Sequence, residues 1–142
     1  MYKILIVDDH ESMREALSML FTNSSEFEVA GSIASAAYSL GYCRKLAPDL
    51  VFMDVCTEGG ASGLEATKQI KAEMPDIKII IMTAFDEISY IPRAKNAGAN
   101  AFIYKSRSLS FFVDVVKDVM EGRISDAKTQ VCILKAARIL GV

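Results

Sequence analysis

Five polar positions stand where chemistry can be done. Asp8 and Asp9 follow the apolar run from Lys3 to Val7 (KILIV), and Asp54 closes the apolar residues Leu50 to Met53. Thr83, followed by the small residue Ala84, finishes IKIIIMT, and Lys105 follows Ala101 to Tyr104. If these run ends share one edge of a sheet, three carboxylates converge. Each close pair then repels by about 4 kcal/mol at an effective dielectric of 20, which implies a cation between them. Oxygen donors with few protein ligands suit Mg²⁺, which keeps several waters and favours phosphate as a partner. A lysine and a hydroxyl at the same edge offer a point charge and a hydrogen-bond donor to a phosphoryl group. An aspartate beside such an ion can itself be the nucleophile and form an acyl phosphate.

The elements that must hold these residues are legible from periodicity. Continuous apolar runs, unlike alternating ones, read as strands buried on both faces. Lys3 to Val7, Leu50 to Val55, Ile77 to Thr83 and Ala101 to Tyr104 are of this kind, with a weaker candidate at Phe27 to Ser32. Between them, Met13, Ala16, Leu17, Leu20 and Phe21 fall on one face of a helix, as do Ala36, Leu40, Cys43 and Ala47, closed by Pro48. A third helix starts near Gly63 and buries Ala66, Ile70 and Met74. A short fourth, from Tyr90 to Ala97, takes Ser89 as its cap, keeps Pro92 in its first turn and ends at Gly98. Ser108 caps the last helix, whose core face is read as Leu109, Phe112, Val113, Val116 and Met120. Strand and helix alternate five times, which calls for an α/β domain: a doubly wound, five-stranded parallel sheet with helices on both sides. In such sheets ligands bind outside the carboxyl ends of the strands, where Asp54 is expected.

Composition excludes several classes. A chain of 142 residues holds one ordinary domain and a short tail. With half its residues apolar and a net charge of −2, it has no bulk attraction to nucleic acid or anionic lipid. No run reaches membrane-span length, and Met1 leads directly into a strand-like segment, so the expected compartment is the cytoplasm. Cys43, Cys56 and Cys132 are odd in number and form no CxxC pair, so packed free thiols are expected, Cys56 included.

Taken together, Asp8-Asp9, Asp54 after a buried strand, Thr83-Ala84 and Lys105 resemble the receiver domain of two-component response regulators, over residues 1 to about 121. The start DDHESMRE and the YKS ending resemble the subfamily with a LuxR-type DNA-binding output. The resemblance implies a flavodoxin-like, CheY-like strand order 2-1-3-4-5. It implies that Asp54 accepts a phosphoryl group from a histidine kinase, with Mg²⁺ held by Asp8, Asp9, Asp54 and the backbone carbonyl of Cys56. Thr83, the backbone of Ala84 and Lys105 would grip the phosphoryl oxygens. Phe102, three before Lys105, stands at the position of the aromatic that changes rotamer with Thr83. Such a domain promotes its own phosphorylation and dephosphorylation and turns over no external metabolite. Two departures from the family pattern stand out: the loop CTEGGASG after Asp54, one residue longer and without Met-Pro, and Ser106 where many receivers have proline.

Plainer readings stand beside these. His10 is a helix-start residue near the site, with a phosphohistidine or a ligand as the sharper alternatives; Phe102 is a switch or plain core. Phe111 and Val115, off the expected core face, are covered by the tail or belong to a partner-binding face, as in a homodimer. Residues 122–142 form a linker or helix, either closing a domain that stands alone or leading to an output domain that would contact DNA. The rival function is a phosphatase that works through an aspartyl phosphate. That enzyme would want a second acid two residues after Asp54, where Cys56 stands. A flavodoxin relative would want a hydroxyl-rich loop after the first strand, where Asp8 and Asp9 stand instead.

Overall fold

A computed structural model describes residues 1–84 and 90–122. Five strands, β1 (Tyr2–Val7), β2 (Phe27–Ile33), β3 (Leu50–Asp54), β4 (Lys78–Thr83) and β5 (Ala101–Tyr104), form one parallel sheet in the order β2-β1-β3-β4-β5. The helices are α1 (Glu11–Thr22), α2 (Ser39–Leu46), α3 (Gly63–Glu73), α4 (Tyr90–Asn96) and α5 (Leu109–Met120). Single 3₁₀ turns precede α2 (Ala36–Tyr38) and α3 (Glu58–Gly60).

The strands read as unbroken apolar runs because successive side chains serve two different cores. Leu5, Val7, Val51, Met53, Ile79, Ile81 and Phe102 pack with residues of α2, α3 and α4 such as Cys43, Ile70 and Ala94. Ile4, Ile6, Phe52, Ile80, Met82 and Ile103 pack with Leu17 and Phe21 of α1 and with Phe112 and Val116 of α5. Removing one such aliphatic side chain costs about 2–5 kcal/mol, so both layers hold the sheet firmly.

The helix boundaries have local causes. Ser62 Oγ accepts from Glu65 N and Ser108 Oγ from Phe111 N, capping α3 and α5. Pro92 lies in the first turn of α4, and Gly98 beyond its end takes φ +97°. The expected cap Ser89 lies outside the described residues, as do Arg123 to Val142. At the sheet edge opposite the candidate site, Lys71 Nζ contacts the carbonyls of Pro75 and Ile77 at 3.0 and 2.9 Å and Asn100 Oδ1 at 3.2 Å. Burial lowers the pKa of that ammonium from its ordinary value.

Two expectations are corrected in α5. Its buried stripe is Phe112, Val115, Val116 and Val119, whereas Leu109 is 42% exposed and Val113 and Met120 are only half-buried. Phe112 sets this rotation, because its ring meets Phe52 at 6.1 Å and residues three, four and seven positions later then face the sheet. Val115 is therefore core of its own chain and not a residue awaiting a partner. Phe111 is half-buried, with the Arg107 guanidinium 4.5 Å above its ring.

Candidate functional site

Parallel pairing carries the strand ends to one edge. Val7 is level with Met53, Asp54 with Met82, and Thr83 with Tyr104. The ladders also run one residue past the strands: Asp8 N donates to Ile33 O, Val55 N to Met82 O, and Lys105 N to Thr83 O, at 3.0, 3.0 and 2.8 Å. Asp8, Asp54 and Lys105 thus hang from backbone that is still held by the sheet.

The carboxylates meet around Lys105. Its Nζ lies 2.6 Å from Asp8 Oδ2 and 3.2 Å from Asp54 Oδ2, with all three side chains largely buried. Asp8 Oδ2 is enclosed without an aligned hydrogen-bond donor, so the ion pair carries it. Asp9 is a third exposed and adds its carboxylate at the rim. One oxygen each from Asp8, Asp9 and Asp54 and one nitrogen of His10 all fall within 4.8 Å of one another. Three carboxylates against one ammonium leave two negative charges, which a divalent cation would balance. The residues present therefore fit an ion bound through oxygen.

Burial is the first cause that pushes the Asp54 carboxyl up, to about 6, with the Asp8 charge next. The Lys105 ammonium opposes them, and Asp9 adds a smaller upward push. Without a further cation, the site disfavours an ionised Asp54.

Other parts of the site were not signalled by the sequence pattern. Arg14, one turn into α1, donates from Nη1 to Asp8 O at 2.8 Å. Gly63 opens α3 hard against Asp54, and Gly63 N donates to Val55 O at 2.8 Å. The loop CTEGGASG turns outward: Thr57 Oγ1 accepts from Ala36 N at 2.7 Å and donates to Ala61 O at 3.1 Å, while Gly59 and Gly60 take φ +74° and +79°. Cys56 bridges to Ser62 through bonds made by their neighbours, Gly63 N to Val55 O and Thr57 N to Ala61 O. The Cys56 carbonyl takes no part in that bridge. Its thiol side is exposed and not packed as expected, because the loop peels away from the sheet at this residue.

Thr83 is buried at the end of β4, and Ala84 is exposed just beyond it. Phe102 is fully buried, edge-on to Tyr104 at 5.2 Å, among the residues facing α2 to α4. His10 stands at the N-cap of α1 without capping it; its ring turns to Asp8 and Asp9 instead.

A family model described as the response regulator receiver domain matches residues 4–117. The chain belongs to that family. This receiver domain is 38% identical over 120 residues to the response regulator protein VraR of Staphylococcus aureus (strain Mu3 / ATCC 700698), covering 84% of this chain and 57% of that protein. It thus spans little more than half the length of that curated relative. A LuxR-family two-component response regulator from Aurantimonas sp. SI85-9A1 has a similar structure, with TM-score 0.81 and 27% identity over 94% of this chain and 96% of the other. A chain of the CheX-CheY-BeF3-Mg²⁺ complex from Borrelia burgdorferi shares the fold at TM-score 0.77 and 21% identity, over 84% of this chain and 89% of that one. The chain is a receiver domain of a two-component response regulator. Among the described residues, no helix is long and apolar enough to cross a membrane.

Proposed function

We propose that Asp54 is the phosphoryl acceptor and that a cytoplasmic sensor histidine kinase is the donor. The observation that carries this reading is the placement of Asp54 at the end of a fully buried strand, 3.2 Å from Lys105 Nζ and beside Asp8 and Asp9. An ionised Asp54 Oδ attacks phosphorus, the bond from phosphorus to the donor's imidazole nitrogen breaks, and the ring, already protonated on its other nitrogen, leaves as neutral imidazole while the acyl phosphate forms.

Asp8, Asp9, Asp54 and the Cys56 carbonyl would hold Mg²⁺, and when bound the ion supplies charge neutralisation at the phosphoryl oxygens. Lys105 trades its ion pair with Asp54 for one with the new phosphoryl group. Thr83 and the Ala84 backbone N–H donate to the remaining oxygens. The modification adds about −1.5 to −2 charges to a site already rich in acids, enough to reorganise Thr83 and Lys105. Phe102 would follow Thr83 and change the surface of α4, β5 and α5, where Phe111 sits under Arg107. That face would bind a second copy of the chain. Residues 1–121 form the signalling unit, and 122–142 lead toward an output domain that contacts DNA to control transcription. The same residues promote the chain's own phosphorylation and dephosphorylation.

The test is incubation with acetyl phosphate and Mg²⁺ followed by mass spectrometry. One added phosphoryl group, lost at alkaline pH and absent from Asp54→Asn, is expected. An unmodified wild type, or an undiminished adduct on the variant, overturns the reading.

A further inference from the structure

We propose that His10 is a fourth side-chain ligand at the acidic site, and that it shifts the site's preference from Mg²⁺ toward first-row transition ions, which accept imidazole more readily, Mn²⁺ serving as the probe. The proposal rests on the reading above, in which Asp8, Asp9 and Asp54 hold the ion. His10 Nδ1 lies 3.1 Å from Asp8 Oδ1 and 3.1 Å from Asp9 Oδ1. The contact with Asp8 is a hydrogen bond here; adjacent corners of an octahedron are separated by the bond length times the square root of two, so a cation replacing the shared proton at this 3.1 Å spacing would sit about 2.2 Å from each atom. One atom from each of the four side chains falls within 4.8 Å of every other, as atoms around a single centre must.

The local backbone explains why the ring is there. His10 N donates to Asp8 Oδ1 at 2.8 Å, and the His10 carbonyl accepts from Met13 N and Arg14 N at 3.1 Å, which pins the residue at the start of α1. An N-cap side chain normally accepts from the first turn of its helix. This one makes no such bond and faces the acids.

Asp8 divides its oxygens accordingly, Oδ2 to Lys105 on the buried side and Oδ1 to His10 on the open side. The imidazole is 64% exposed and forms the outer wall of the site. First-row transition ions, Mn²⁺ the weakest of them, accept an imidazole nitrogen more readily than Mg²⁺, which keeps to oxygen and water. A nitrogen at this wall therefore adds affinity for one class of ion and little for the other.

His10 is the only histidine in the chain, so any imidazole nitrogen on a bound metal belongs to it. The experiment uses the untagged full chain at pH 8 with Mn²⁺ alone, and looks by pulsed EPR for nitrogen coupling to the ion. Calorimetric titrations with Mn²⁺ and Mg²⁺ then give the affinity ratio. Nitrogen coupling is expected in the wild type and lost in His10→Ala and His10→Gln, with the Mn²⁺ to Mg²⁺ ratio falling about tenfold and Mg²⁺ affinity moving less than about threefold. Bound Mn²⁺ without nitrogen coupling, or a ratio the variants leave unchanged, overturns the proposal. The wild-type spectrum decides the matter even if a variant folds poorly. A separate arm with Asp9→Asn tests the foundation: undiminished binding of both ions there overturns the acidic-site reading itself, whatever His10 does.

Discussion

A Cβ placed on Gly63 would lie 1.8 Å from the carbonyl oxygen of Asp54. Helix α3 therefore begins in direct contact with the backbone that aims the carboxylate. Any side chain at 63 must push one of the two away.

Gly63→Ala is expected to destabilise the domain by about 2–3 kcal/mol, because the obstacle is backbone and cannot rotate aside. The rate of modification by acetyl phosphate should fall about tenfold or more as Asp54 shifts. Urea unfolding and phosphorylation kinetics check both, and a variant matching wild type in each would refute the contact's importance.

Asp54 links stability to pH. Its folded-state value of about 6 lies above the ordinary 3.8, so the folded chain binds the proton more tightly than the unfolded one. The ionised carboxylate thus costs stability at high pH, and the penalty fades as pH falls through 6 toward 4. In a chelator, Asp54→Asn should be more stable than wild type by on the order of 2–3 kcal/mol at pH 8 and by well under about 1 kcal/mol at pH 4. Adding Mg²⁺ at pH 8 should shrink or reverse the difference, since the ion favours the folded wild type. Thermal melts at the two pH values provide the measurement, and a gain that grew toward low pH would refute the assignment.

The rotation of α5 separates two residues that look alike in the sequence. Val115→Ala should cost about 2 kcal/mol, as a buried side chain facing the sheet does. Leu109→Ala, at a 42% exposed position, should stay within about 0.5 kcal/mol. Chemical denaturation of both variants checks this, and equal effects would mean that the helix presents a different face.

The parallel sheet, the two-sided burial of β3 and β4, and the meeting of Asp8, Asp54 and Lys105 were legible in apolar runs that end in committed polar residues, whereas the strand order came from the resemblance to receiver domains. The face of α5 was not. Leu109, Val113 and Met120 satisfy helical spacing as well as Val115 and Val119 do, and only the Phe112 to Phe52 ring contact decides between them. Cys56 was misplaced for a related reason: its apolar character suggested packing, but the chain leaves the sheet there. Gly63 gave no signal, since a glycine near a helix start is ordinary and its crowding comes from a strand nine residues earlier. Arg14 likewise reaches Asp8 only once α1 folds back along the strand edge.

The outward turn of Glu58 to Gly60 has a practical side. Thr57 staples its near end and Ser62 its far end, while Gly59 and Gly60 border open space. Glu58 is tied to the β2–α2 connection, its N donating to Ala34 O at 3.3 Å and its carbonyl accepting from Ser35 Oγ at 3.4 Å, so only the two glycines are left clear. A fluorophore or short epitope spliced between these glycines would ride a few residues from Asp54 while Thr57 and Ser62 keep their anchoring bonds, which makes the turn a mounting point for a reporter of events at that carboxylate.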